Sequence, residues 1–329
     1  MIDLRKRNFL KIEDFTYEEI RYLLDLAKDF KEKKKNRVNH EYLKGRTIAL
    51  IFEKTSTRTR CSFEVAAYDL GMHVTYLNSS ASQLGNKESV FDTANVLGRI
   101  YDGIEFRGFK QESVETLAKN AGVPVWNGLT DYCHPTQVLA DFLTMEENFG
   151  HLKGLNLVYI GDARNNISNS LMIMSAKMGV NFTSIAPKEL WTDKKVVEKA
   201  QKIAKETGSI IRQSADKNDL KDADAVYTDV WVSMGEADEL WEKRINLLRN
   251  YQVNKKTFAL AKPNAIFLHA LPSFHDTETT IGEDIYKRYG LKAMEVTNDV
   301  FLSKNSKVFD ESENRMHTIK AVIYATMKD

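Results

Sequence analysis

Apolar residues recur along the chain in two alternating rhythms. The run Thr47-Ile-Ala-Leu-Ile-Phe52 is apolar and rich in β-branched residues. It reads as a buried strand, because a strand covered on both faces needs no polar alternation. After Glu53-Lys54 and the stretch Ser56-Thr-Arg-Thr-Arg60, Phe63, Ala66, Ala67 and Leu70 fall at helical spacing, and Gly71 is placed to close that helix in a left-handed conformation. Strand-like runs follow at 73–77, 103–108 and 123–126. Between them lies a helical pattern of Val90, Ala94, Leu97 and Ile100. A further helix opens at His134-Pro-Thr-Gln137 and carries Leu139 and Leu143. Ahead of all these, Thr16-Tyr-Glu-Glu19 forms a capping box before Ile20, Leu23, Leu24, Ala27 and Phe30. That helix ends in Lys31, Lys33, Lys34 and Lys35, cations that suit the negative end of its dipole and read as a solvated terminus.

The polar, glycine-containing stretch 146–154 marks a domain boundary near residue 150, and the alternation then restarts. Strands are expected at 155–160, 182–186, 209–212, 225–230 and 265–269, with a charged helix over 194–205. The last helix starts within Asp310–His317 and places Ile319, Val322, Ile323 and Ala325 on one face, too apolar to stay in water. The expected fold is α/β, with two doubly wound parallel-sheet domains and the C-terminal helix packing back on the first. The first domain is residues 1–150 with 310–329, the second residues 151–309.

At 329 residues the chain suits two domains of about 150 each. A net charge of +1 argues against nucleic acid or an anionic membrane surface as a partner. Cys61 and Cys133 are the only cysteines, which excludes a disulfide or zinc framework and suits a reducing compartment. The N-terminus lacks the apolar core of a signal peptide and no run is long enough to span a membrane, so a cytoplasmic location is expected. Gly161-Asp-Ala-Arg-Asn-Asn166 sits where a dinucleotide fold carries G-x-G-x-x-G but holds one glycine of the three, which argues against NAD.

The hydroxyl- and guanidinium-rich stretch 56–60 changes the picture most. It lies between a buried strand and a helix N-terminus, where free backbone N–H groups and the positive end of the dipole favour an anion. It contains no glycine and is not a nucleotide P-loop, so side chains must hold a small, compact dianion such as a phosphate. Taken singly, Ser and Thr could simply cap the helix, and Arg107, His134 and Gln137 have ordinary surface or helix-start roles. Arg58, Arg107, His134 and Gln137 all fall beyond the carboxyl ends of strands in three βα units, where open α/β sheets bind ligands. Asp229 is placed at the end of the 225–230 strand, and the small-residue loop 78–86 has little to anchor it but Leu84.

Together, Ser56-Thr-Arg-Thr-Arg60, His134-Pro-Thr-Gln137, Asp229-x-x-x-Ser233-Met-Gly235, His269-x-Leu-Pro272 and Glu313-Asn-Arg-Met-His317 resemble the ornithine carbamoyltransferase family over the whole length. The resemblance implies a carbamoyl phosphate site of Ser56, Thr57, Arg58, Thr59, Arg107, His134, Gln137 and Arg315, with the Ala270 and Leu271 carbonyls accepting from the carbamoyl NH₂. Arg58, Arg107, His134 and Arg315 would carry the catalysis. Gln83 would reach a neighbouring subunit's phosphate, implying a homotrimer or a multiple of trimers. Asn166, Asp229, Ser233 and Met234 would hold L-ornithine, with Asp229 on the α-amino group; no cofactor and no metal is implied. One departure is Ala270, where the family usually has the cysteine of His-Cys-Leu-Pro. The rival readings are a transcarbamoylase for another amine such as putrescine, and a non-catalytic homologue that binds carbamoyl phosphate or an amino acid.

Overall fold

A computed structural model of the chain describes residues 2–78, 87–232, 236 and 239–329. The chain divides into two compact units, Met1–Leu143 with Ser312–Asp329, and Thr144–Glu311. The first contains α1 (Tyr17–Lys35), β1 (Thr47–Phe52), α2 (Thr57–Asp69), β2 (His73–Asn78), α3 (Val90–Ile100), β3 (Gly103–Arg107), α4 (Gln111–Asn120), β4 (Val125–Leu129) and the start of α5 (Pro135–Phe149). Its four strands are all parallel, in the order β2-β1-β3-β4. The order reverses between β1 and β3, where Phe52 is in register with Arg107. That reversal is the topological switch point, where doubly wound sheets take ligands.

Local chemistry explains the boundaries. Thr16 and Glu19 close the capping box of α1 from both sides. Ser56 caps α2, its Oγ accepting from the Thr59 N–H at 3.3 Å. Leu70 ends α2, and Gly71 follows with φ +81°, as the sequence pattern suggested. The α1 lysines depart from the expected solvated terminus. Lys34 Nζ pairs with Asp69 at 2.7 Å and Lys31 Nζ donates to Asn314 Oδ1 at 2.8 Å, so the run is tied down by carboxylate and amide partners. β4 starts two residues after and ends three residues beyond the expected 123–126, and the N-terminal segment pairs along it: Phe9 N–H donates to Val125 O and Asn127 N–H to Phe9 O.

The second unit contains β5 (Asn156–Ile160), α6 (Asn166–Met178), β6 (Asn181–Ile185), α7 (Lys194–Thr207), β7 (Ile211–Ser214), β8 (Ala225–Tyr227), α8 (Leu240–Leu248), α9 (Lys255–Phe258), β9 (Ile266–Leu268), α10 (Thr280–Tyr289) and α11 (Asn298–Phe301); α12 (Val308–Met327) begins there. Its parallel sheet has the order β7-β6-β5-β8-β9, reversing between β5 and β8. β7 starts two residues later than expected, since the Thr207 hydroxyl accepts from the Ser209 N–H at 3.5 Å and donates to Ala176 O at 2.7 Å, finishing α7. β8 stops at Tyr227, short of the expected Val230. The Thr228 hydroxyl takes the Ile160 carbonyl at 2.6 Å, and the ladder ends there, leaving Asp229 on the loop beyond it.

The part of α12 from Ser312 belongs to the first unit, with Ile319, Val322, Ile323 and Ala325 buried. Burying each large aliphatic side chain stabilises by about 1.5–3 kcal/mol. Within the same unit Trp126 Nε1 donates to Thr326 Oγ1 at 3.0 Å, and Tyr324 packs edge-on against Phe30. Among the described residues no helix is long and apolar enough to cross a membrane.

Candidate active site

At the switch point of the first unit, Thr59 sits in the first turn of α2, fully buried, and its single hydroxyl oxygen accepts from two arginines. Arg107 Nη1, at the end of β3, lies 3.2 Å away, and Arg315 Nη2, on α12, 2.8 Å away. Arg58 is half-buried beside them; burial lowers its own tendency to hold a proton, and its charge lowers that of Arg107. Burial first, then Arg58, brings Arg107 down to about 10, with Glu105 opposing. Arg107 stays charged at neutral pH.

His134 lies just before α5, 3% exposed. Burial, then Arg315, Arg107 and Arg58, push its imidazole well below the usual histidine range. The ring is therefore neutral and acts through a single N–H. Thr136 Oγ1 is 3.3 Å from Nδ1, and with that hydroxyl donating, the ring proton resides on Nε2.

One carboxyl group lies in this cluster. Glu105, in the middle of β3, is fully buried, and neither of its oxygens has a hydrogen-bond partner among the described residues. Burial raises its pKa well above the ordinary value in spite of Arg107 and Arg315. Gly128 makes room for it: a Cβ there would meet Glu105 Oε1 at 1.9 Å. Three guanidinium groups converge on the end of the sheet, and an oxyanion of charge about −2 suits that field.

The structure thus gathers Arg58, Thr59, Arg107, His134 and Arg315, five of the residues singled out in the sequence. Ser56 is committed to capping, and Gln137 Nε2 donates to Asp141 Oδ1 at 2.8 Å along its own helix. Arg60 leaves the group: it pairs with Glu64 at 2.8 Å and lies over the Tyr76 ring, 3.9 Å from its centroid. Gln83, Ser233 and Met234 lie outside the described residues.

The second unit has its own cluster at its switch point. Asp229 follows β8 and is buried; burial, together with Glu295 and Glu311, raises its carboxyl to about 6, with His269 and the Val230 N–H opposing. Asn165 holds it, the Nδ2 group donating to Asp229 Oδ2 at 3.2 Å and to the Tyr159 hydroxyl at 2.9 Å, while Oδ1 caps α6. Asn165 is thus the asparagine bonded to Asp229; it stands beside Asn166, the residue that the resemblance assigned to ornithine.

After β9 the chain passes through His269, Ala270 and Leu271, the last with φ +51°, a conformation that costs a non-glycine residue of order 1 kcal/mol or more. The Leu271 N–H anchors it by donating to His269 Nδ1 at 2.9 Å. Buried carboxylates surround this turn: Glu311 accepts the His269 N–H at 3.0 Å, and Glu295 accepts from Ser273 Oγ and the Phe274 N–H. Sequence reasoning passed over Glu105, Glu295 and Glu311; the first two leave only a charge beside apolar residues, and Glu311 is lost among polar neighbours. Among the described residues no group of three or more His, Cys, Asp or Glu could hold a metal.

Comparison with known proteins matches each half of the chain to a domain of one family. Residues 7–147 match the aspartate/ornithine carbamoyltransferase carbamoyl-P binding domain, and residues 153–326 the Asp/Orn binding domain of the same family. A protein of Treponema denticola named "Ornithine carbamoyltransferase, catabolic" is 62% identical, covering 99% of this chain and 96% of that protein. One of the same name from Bacillus licheniformis is 56% identical over 100% of this chain and 98% of its own length. The solved ornithine carbamoyltransferase of Pyrococcus furiosus superposes with a TM-score of 0.91 at 43% identity, covering 99% of both chains. With both halves matched and full-length relatives far above the level at which family membership is secure, the chain belongs to the aspartate/ornithine carbamoyltransferase family, as an enzyme of its ornithine carbamoyltransferase branch.

Proposed function

We propose that the chain exchanges a carbamoyl group between phosphate and the δ-amine of L-ornithine. Carbamoyl phosphate and ornithine give citrulline and phosphate, or citrulline and phosphate give the reverse. The word "catabolic" in the relatives' names supports the second direction, use in arginine breakdown. The observation that carries the reading is the convergence of Arg58, Arg107 and Arg315 around the Thr59 hydroxyl beside a neutral His134. In this reading the first unit is the carbamoyl phosphate-binding domain and the second the ornithine-binding domain.

The chemistry follows from charge. The δ-amine must be neutral to attack the carbamoyl carbon, although a lysine-like amine has a pKa of about 10.4 in water. Attack places negative charge on the carbamoyl oxygen, and departure of phosphate places more on the leaving group. Arg58, Arg107 and Arg315 stabilise the phosphate, and the neutral His134 N–H donates to the developing oxyanion; preorganised donors of this kind are worth about 10²–10³ in rate each. In the reverse direction the same groups hold phosphate as the nucleophile. The Ala270 and Leu271 carbonyls accept from the carbamoyl NH₂, and Asp229, held by Asn165, pairs with the α-amino group of ornithine.

Asp229 also supports an α-amino acid over a diamine such as putrescine, together with the Asn166, Ser233 and Met234 contacts assigned to the carboxylate end. We further propose a cytoplasmic homotrimer, or a multiple of trimers, in which Gln83 reaches the neighbouring subunit's phosphate. An apolar stripe on α3, with Phe91, Val96 and Ile100 about half exposed, supports self-association. Citrulline synthesis by the purified protein, run against a panel of ornithine, putrescine and lysine with carbamoyl phosphate constant, tests the reading. Ornithine is expected to dominate; turnover of putrescine alone, or of nothing, overturns it.

A further inference from the structure

We propose that Glu295 is a positioning residue for the transfer reaction, fixing the proton of His269 and through it the Ala270–Leu271 turn. The proposal rests on the reading above that the carbonyls of that turn accept from the carbamoyl NH₂. Glu295 and His269 are both essentially without solvent exposure. Glu295 lies in a short extended segment whose own backbone is secured, Val253 N–H donating to Glu295 O and Met294 N–H to Phe274 O. Its Oε1 accepts from Ser273 Oγ at 2.8 Å and from the Phe274 N–H at 2.7 Å, and stands 3.3 Å from His269 Nε2. One carboxylate oxygen thus contacts both ends of the 269–274 segment.

The ring of His269 completes the device. The Leu271 N–H donates to Nδ1, so Nδ1 carries no proton, and the ring proton must sit on Nε2, facing Glu295. Glu295 remains a carboxylate: burial opposes this, but His269 and the Phe274 N–H hold it below the usual glutamate range. The groups facing His269 are Glu295, Asp229 and Glu311, which together favour a charged ring against the effect of burial. A second proton would have to enter at Nδ1, which would expel the Leu271 N–H and release the left-handed residue that it anchors. Glu295 is therefore bonded to the turn at its far end, and at its near end its charge lies 3.3 Å from the Nε2 that must carry the ring proton. Ala270 has no side-chain polar group with which to fix the turn itself, so the Leu271 N–H, Glu311 and the carboxylate behind it share that task.

The test uses the full chain with ¹⁵N-labelled histidine, the His269 signals being assigned by their loss in His269→Gln. Once the pH is raised far enough to leave the wild-type ring neutral, its remaining proton is expected on Nε2. Glu295→Leu removes the acceptor and is expected to lower kcat for citrulline synthesis about 10²-fold, the scale on which a displacement of about 1 Å acts. Ornithine KM is expected to stay within about threefold, and Glu295→Gln, which keeps an oxygen acceptor, to recover kcat to within about tenfold of wild type. A wild-type ring protonated on Nδ1, or a folded Glu295→Leu with kcat within about threefold and an unchanged tautomer, overturns the proposal. Should Glu295→Leu not fold, the wild-type tautomer and the kcat of Glu295→Gln decide. A wild-type protein that makes no citrulline removes the functional reading instead, and the ring measurement still decides whether Glu295 sets the tautomer.

Discussion

Replacing Thr59 with valine keeps the volume at that position and removes one oxygen. That oxygen is the acceptor for Arg107 at 3.2 Å and Arg315 at 2.8 Å, two side chains 8% and 2% exposed, so water does not take its place. Hydrogen bonds to charged groups contribute about 1.5–3 kcal/mol each; with the lower figure taken for both contacts the pair comes to about 3 kcal/mol. The substitution also removes the dipole that separates two like charges. A domain of about 150–250 residues moves about 2–4 °C per kcal/mol, so the melting temperature in phosphate-free buffer should fall by about 6–12 °C. Phosphate at about 100 times its Kd stabilises the wild type by about 2.7 kcal/mol. Its oxygens supply the acceptors that the variant lacks, so the gap between variant and wild type should narrow as phosphate is added. Differential scanning calorimetry with and without phosphate, beside steady-state citrulline synthesis, measures both effects. Melting within about 1 °C of wild type without phosphate, and kcat/KM for carbamoyl phosphate within about threefold, would refute the claim that this hydroxyl organises an anion site.

Arg58→Gly is expected to abolish detectable turnover with the far-ultraviolet circular dichroism unchanged; activity within about tenfold of wild type counts against the phosphate site. Asp229 tests the second cluster through pH. Its folded carboxyl is raised to about 6, so the folded chain binds this proton more tightly than the unfolded chain does, and the burden on stability develops as pH rises from about 4 and is complete above about 6. Asp229→Asn should therefore raise stability above pH 6 by about 2–3 kcal/mol in chemical denaturation while ornithine KM increases at least tenfold; a loss of stability there contradicts the burial assigned to it. In the wild type, ornithine KM should climb as pH falls through about 6 and Asp229 takes up a proton, and a flat profile would exclude it from amine pairing. Restoring a thiol with Ala270→Cys should raise kcat/KM for ornithine and move its pH profile toward neutrality. No change in either would show that the alanine costs the reaction nothing.

The fold class could be read from the chain because a parallel sheet covered on both faces leaves its mark locally. Strands such as Thr47–Phe52 and Asn156–Ile160 are continuous apolar runs, and the helices between them, with Thr16 or Ser56 at the start and Gly71 after the end, carry their own punctuation. The anion-binding residues could be read for a related reason. Donors proposed to surround a dianion at a strand end cluster in sequence, as Arg58 and Thr59 do, or open the next helix, as His134 does. Tertiary structure alone decided the rest. It turned Arg60 away toward Glu64 and Tyr76, and brought Arg315 from the far end of the chain onto Thr59. Asn165 was given to Asp229, and Glu105 and Glu295 were buried where one has its pKa raised and the other lowered. Periodicity reports which face of an element is dry. Which way a polar side chain turns, and whether burial or a neighbouring charge governs its proton, depends on atoms that are distant in sequence and meet only when the sheets close.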